Sequence, residues 1–147
     1  MRRGITIDSG AGNSVMPRRM VLNKADIRES EGSKAGLKYV AANDGRIPNE
    51  GEYDFKFQTM ERNSEDFTFQ IAEVNKVLGA VSYLVDRGYK VTFEKNMKTV
   101  QDLSHMTNKI SGATTRFRRE RNVWVLDAYV QIDERAGHDN QDFRRRG

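Results

Sequence analysis

Residues 5–15 read Ile-Thr-Ile-Asp-Ser-Gly-Ala-Gly-Asn-Ser-Val. Apolar and polar residues alternate up to Asp8, and the chain then turns into Ser9-Gly10-Ala11. Gly10 lets the backbone turn through positive φ and approach other backbone closely. Ser9 supplies a hydroxyl that can hydrogen-bond backbone and lock the turn. Asp8 is then a rigid carboxylate at a strand end. One such group does little for amide hydrolysis. Two facing each other do much more, because like charges about 3 Å apart cannot both ionise. One keeps its proton as an acid while the other acts as base on a water between them. The plain alternative is a surface turn.

Strands are needed to position such a carboxylate, and period-2 alternation recurs along the chain. It runs through Ile5–Asp8, Tyr53-Asp-Phe55-Lys-Phe57, Phe67-Thr-Phe69-Gln-Ile71 and Tyr89-Lys-Val91-Thr-Phe93. Val123 to Leu126, continued by Ala128 and Val130, predicts a strand buried in part on both faces. Thr115–Arg118 before it, with Arg121-Asn122 between, reads as its hairpin partner. These segments are rich in β-branched and aromatic residues, which suit a half-buried pleated surface. Val81, Leu84 and Val85 have helical spacing instead, and Gly88 follows as a natural C′ residue. That predicts one short helix with its apolar stripe in the core. A second helical turn is expected within Lys24–Glu29. Residues 37–58 read as one hairpin, with Leu37–Val40 leading in, Asn43-Asp44-Gly45 turning, and Tyr53–Phe57 leading out.

The chain has 147 residues, 37% hydrophobic and 31% charged, which bounds it to one domain plus a tail. No apolar run approaches the roughly 20 residues of a membrane span, and no signal-peptide apolar region follows the first four residues. There is no cysteine, which fits a reducing compartment. His105 and His138 are too few and too isolated for a zinc site. Residues 1–106 carry 16 Lys/Arg against 15 Asp/Glu, and residues 107–147 carry 9 against 6. The basic excess therefore lies at the C-terminal end. Arg116, Arg118, Arg119 and Arg121 around Phe117 read either as a solvated strand face or as a weak RNA contact, and Arg144–Arg146 as a basic tail.

Asp8-Ser9-Gly10-Ala11, preceded by Ile5-Thr6-Ile7 and followed by Ser14-Val15-Met16, resembles the active-site motif of retropepsins, the aspartic proteases of retroviruses and LTR retrotransposons. A second family element is similar to Phe69–Ala80, where Val77-Leu78-Gly79 ends a strand ahead of a short helix and a last strand. The wording from Val40 through Gly51 and from Val81 through Phe93 looks most like the copia-type branch. The resemblance covers about residues 4–95. It implies an all-β retropepsin-like half-barrel with one short helix, active as a homodimer. It gives Asp8 as the catalytic residue, Ser9, Gly10 and Ala11 as loop support, and Val77, Leu78 and Gly79 as the second motif. The 37–58 hairpin falls at the flap, with Ala42, Asn43, Asp44 and Gly45 as its substrate contacts.

Only one such motif exists here, so Asp8 must meet Asp8 of a second copy across a C2 axis. The resemblance implies an endopeptidase acting on a peptide or polyprotein substrate, with no metal or cofactor, in the cytoplasm or in virus-like particles. The rival expectation is a catalytically weak dimerisation or peptide-binding module of the same fold. Family members carry an extra strand or two ahead of the aspartate, whereas seven residues precede it in this sequence. Either strands lie upstream, or the region after Glu94, notably the hairpin around Thr115–Val130, replaces them. The expected organisation is a protease domain over 1–106 and a β-hairpin extension over 107–132 within the domain or its dimer interface. A disordered basic tail is expected over 133–147.

Overall fold

The computed structural model describes residues 1–41 and 43–130. Its strands, in chain order, are β1 Arg2–Asp8, β2 Val15–Met16, β3 Lys38–Val40, β4 Arg46–Pro48, β5 Glu52–Gln58, β6 Ser64–Ile71, β7 Val77–Ala80, β8 Tyr89–Thr92, β9 Lys95–Asn96, β10 Gln101–Asp102, β11 His105–Asn108, β12 Thr114–Arg116, β13 Arg118–Glu120 and β14 Val123–Tyr129. Two short helices interrupt them, α1 Glu31–Lys34 and α2 Val81–Asp86, with 3-10 turns at Arg18–Met20 and Lys24–Asp26. The all-β class holds. The expectation of a single short helix does not, because Ser30 and Ser33 form a reciprocal capping box that starts α1.

Six strands close a ring in the order β1-β7-β2-β6-β5-β14 and back to β1. β1 is central. It runs parallel to β7, with Ile5 opposite Val77 and Asp8 opposite Ala80, and antiparallel to β14 over Arg2–Ile7. The antiparallel neighbour that the resemblance would place ahead of β1 thus comes from the C-terminal end of the chain. Closure between β14 and β5 rests on one pair, Tyr129 with Gln58. The outer edge of β14 is taken first by β13 and then by β5. Val125, Leu126, Asp127 and Ala128 are all buried, as expected for a strand covered on both faces.

Alternate residues of the ring fill its interior: Ile5 and Ile7, Tyr53, Phe55 and Phe57, Phe67, Phe69 and Ile71, Leu126 and Ala128. The rings of Phe57 and Phe67 meet edge to face at 5.0 Å, a geometry that suits their quadrupoles. β6 pairs with β5 from Ser64 to Gln70, but β2 covers its other edge only at Gln70 and Ile71. Tyr83 of α2 and Arg87 just after it reach the remaining edge at two points. The Thr68 amide donates to the Tyr83 hydroxyl at 2.7 Å, and Arg87 donates to the Asp66 carbonyl at 2.9 Å. Leu84 is fully buried beneath this contact, whereas Val85 is 54% exposed. Val85 therefore lies outside the core, because two turns of helix bury only one narrow stripe.

The 37–58 reading needs a larger correction. β3 pairs with β4, not with Tyr53–Phe57, which instead forms the β5–β6 hairpin. The chain leaves β4 at Pro48 and turns at Gly51, whose φ of +129° and close approach to the Arg28 carbonyl admit no Cβ. Tyr53, Phe55 and Phe57 need the core and take it. Similarly, Thr114–Arg116 pairs with β11, and only Arg118–Glu120 pairs with β14. A three-stranded sheet, β12-β11-β8, thus flanks the ring. Phe93 packs on Trp124 there with centroids 4.5 Å apart. The expected domain boundary at 106/107 falls inside β11, and the expected tail over 133–147 lies outside the described residues.

Candidate active site

The Asp8 loop has to cross over β7, because β7 lies between β1 and β2 in the ring. It crosses at the top of β7, where Ala80 faces Asp8 and α2 begins. Three hydrogen bonds fix the crossing. The Gly10 amide donates to Asp8 Oδ1 at 2.8 Å, which closes the turn on the carboxylate itself. The Ala80 amide donates to Ser14 Oγ at 3.0 Å, and the Gln70 amide donates to the Ser14 carbonyl at 2.8 Å. Ser14 is only 4% exposed, so its hydroxyl is a structural partner and not a spare turn group. Ser9, Gly10, Gly12 and Asn13 are exposed, and Asp8 and Ala11 are half-buried.

The residues expected to form the second motif lie in β7. Val77 is buried, Leu78 is half-buried, and Gly79 lies against β1. A Cβ on Gly79 would come within 3.0 Å of Ile5 Cγ2 and 3.3 Å of Ile7 Cδ1. Glycine here lets the two parallel strands pack closely enough to align Asp8 with Ala80.

The hairpin β3–β4, the expected flap, turns through Asn43, Asp44 and Gly45. The Ala41 amide donates to the Gly45 carbonyl at 2.8 Å, and the Gly45 amide to Asn43 Oδ1 at 3.0 Å. Asp44 has φ +65°, a left-handed conformation that Asp tolerates. Ala42 lies outside the described residues. Tyr39 and Ile47, opposite each other, are the half-buried pair in this hairpin. The Tyr39 hydroxyl accepts from Asn49 Nδ2 at 3.2 Å. Burial holds its phenol above the ordinary tyrosine range, against the pull of that bond. Asn49, 7% exposed, also donates to Gln70 Oε1 at 2.9 Å and accepts from Ser30 Oγ and the Gly51 amide. A polar chain thus joins the Asp8 loop, the flap and the β5–β6 hairpin.

Between the β3–β4 hairpin and the segment ahead of β7 lies a groove of about 470 Å³ lined by Ala41, Asn43, Ile47, Glu73, Val74 and Asn75. Arg19 holds its far wall by donating to the carbonyls of Val74 (3.3 Å) and Asn75 (2.9 Å). Two other hollows, about 570 and 510 Å³, flank Val130 at the β5–β14 seam and include no residue of the Asp8 loop. Sequence reasoning missed Tyr39, Asn49, Arg19 and Glu73. The roles of Tyr39, Asn49 and Arg19 depend on partners 10 to 56 residues away, and no local pattern marks any of the four.

The arginines near the C-terminal end are largely engaged within the chain. Arg118 grips buried Asp127 through Nε (3.0 Å) and Nη2 (3.1 Å). Arg119 lies 4.4 Å over the Trp124 ring and reaches Asp102 at 3.4 Å. Arg116 donates to the Asp102 carbonyl at 3.2 Å. No group of three or more His, Cys, Asp or Glu among the described residues is placed to hold a metal ion. No helix among them is long and apolar enough to cross a membrane.

No protein-family model, curated protein or solved structure matches the chain. The functional reading therefore rests on the site's own chemistry.

Proposed function

We propose that this chain is an aspartic endopeptidase of the retropepsin type. In this reading two copies meet about a C2 axis, and their Asp8 carboxyls share one proton. One carboxylate takes a proton from a water held between them as the water attacks the peptide carbonyl. The other, protonated, donates to the carbonyl oxygen. The resulting tetrahedral species collapses with proton transfer to the departing amine, and no covalent enzyme intermediate forms.

The observation that carries this reading is the Asp8 turn. A carboxylate at a strand end is bonded by the Gly10 amide at 2.8 Å and set opposite Ala80 of the second motif. Ser14 fastens that crossing from inside. The bond from Gly10 is of a kind that plain turns also use; what favours the reading is the placement of the turn opposite Ala80, at the end of the Val77-Leu78-Gly79 strand. The exposed Ser9 is free to bond across the axis, which is the role the resemblance gives it. The β3–β4 hairpin would close over an extended peptide and add main-chain hydrogen bonds. The substrate in this reading is a polyprotein that contains the chain.

The deciding experiment is cleavage of the chain itself and of a mixed peptide library from pH 4 to 7.5, comparing the parent with Asp8→Asn. The substitution keeps the shape and removes the shared proton. Cleavage by the parent with none detectable in the mutant is the expected result. Absence of cleavage by the parent at concentrations where light scattering shows a dimer would sink the reading. Retained peptide affinity in that case would leave a peptide-binding module.

A further inference from the structure

The groove between the β3–β4 hairpin and the Glu73–Asn75 segment is charged in one place only. Among its six lining residues, Ala41, Ile47 and Val74 are apolar, Asn43 and Asn75 are neutral amides, and Glu73 carries a carboxylate. Glu73 is exposed, and among the described residues it forms no ion pair. The flap cations Lys38 and Arg46 are not in the lining. The wall that presents Glu73 is held in place. Arg19 takes the carbonyls of Val74 and Asn75, and the Val74 amide closes on the Ala72 carbonyl at 2.8 Å. A carboxylate on a fixed wall, in a hollow with apolar sides, has the chemistry to receive a side chain with an aliphatic stem and a cationic head.

The lining residues Glu73, Val74 and Asn75 precede β7, whose last residue, Ala80, stands opposite Asp8. An extended peptide advances about 3.3 Å per residue, so moving a charge one residue at a time along a peptide locates the position that the groove takes.

The geometry points to Glu73 as a specificity-determining residue that selects an arginine or lysine side chain of an extended peptide. The assignment of the peptide's position rests on the protease reading above, whereas the charge preference is measurable without cleavage. The probes are matched decapeptides, each carrying one Arg, Gln or Glu at successive central positions. They bind the Asp8→Asn chain, which holds substrate without turning it over, with and without Glu73→Gln or Glu73→Lys. An exposed carboxylate gives a modest, salt-sensitive effect. The Arg peptide should bind about 3- to 5-fold tighter than its Gln counterpart at low salt and under 2-fold tighter at 0.5 M salt. Glu73→Gln should erase the preference, and Glu73→Lys should turn it toward Glu.

Equal binding of the three peptides, a preference that survives Glu73→Gln, or no binding up to millimolar peptide would each overturn the assignment. The two readings fail separately. Asp8-dependent cleavage with no charge preference removes the Glu73 role alone. A Glu73-dependent preference in binding, with no cleavage by the parent, removes the protease alone.

Discussion

Ser14 and Ala80 are 66 residues apart, yet the hydroxyl of one takes the amide of the other at 3.0 Å. Ala80 opens α2, where the first amides have no intrahelical acceptor, and Ser14 satisfies this one from a different element. Ser14→Ala would leave that amide buried and unpaired. The expected cost is about 1–3 kcal/mol, read as a lower midpoint in denaturant at unchanged slope. An unchanged midpoint would mean that the loop finds another acceptor and that Ser14 is dispensable. The residue types around Asp8 were readable as chemistry because an acid followed by Ser-Gly is a local pattern. The bracing was not readable, since Ser14 gains its meaning only from the strand that arrives at residue 77.

Elements are tied to one another by a few charged contacts as well as by the core. Arg28, beside the bridge it makes to Glu52, holds Asp54 through two bonds of 2.8 and 3.0 Å, and Thr68 donates to the same carboxylate at 2.7 Å. The Arg28 guanidinium, with Thr68 next, depresses the Asp54 carboxyl below its ordinary value. A carboxyl depressed on folding adds stability above its unfolded pKa of about 3.9 and loses it as pH falls through the folded value. Asp54→Asn should therefore lower stability at pH 7 by about 0.5–1.5 kcal/mol, because the site is partly exposed. It should also flatten the loss of thermal midpoint below pH 4, and a parallel pH profile in mutant and parent would refute the linkage. Period-2 alternation located β5 and β6 because each puts one apolar face on the core, and a run of apolar residues located β14, which is covered on both faces. It overran at the flap, where β3 and β4 have mostly exposed side chains. There, Pro48 and Gly51 decided the pairing.

At the scale of the molecule, the ring closes through the C-terminal end of the described chain. β14 covers β1, and its Val125, Leu126 and Ala128 are core residues. Deleting residues 107–147 would strip β1 of its antiparallel neighbour and open the barrel beside Asp8. The expected outcome is loss of the cooperative unfolding transition together with loss of any dimer, followed by circular dichroism and light scattering. A shortened chain that still melts cooperatively would show that the ring does not need β14. The same closure explains the charge distribution: the arginines of β12 and β13 largely serve Asp127, Asp102 and Glu120.

By itself, the sequence determined what depends on neighbours along the chain. It determined the all-β class, most strand cores, the helix ending before Gly88, and a carboxylate at a tight turn. These follow from side-chain periodicity and backbone preference, which act over a few residues. Tertiary structure alone decided that β14 stands beside β1, that the flap returns at Arg46–Pro48, and that Ser14, Tyr39 and Asn49 brace the site. It also set Glu73 alone in a groove with apolar sides. Each of these depends on which distant segments meet, and strand pairing is chosen by burial of the whole barrel rather than by any single stretch.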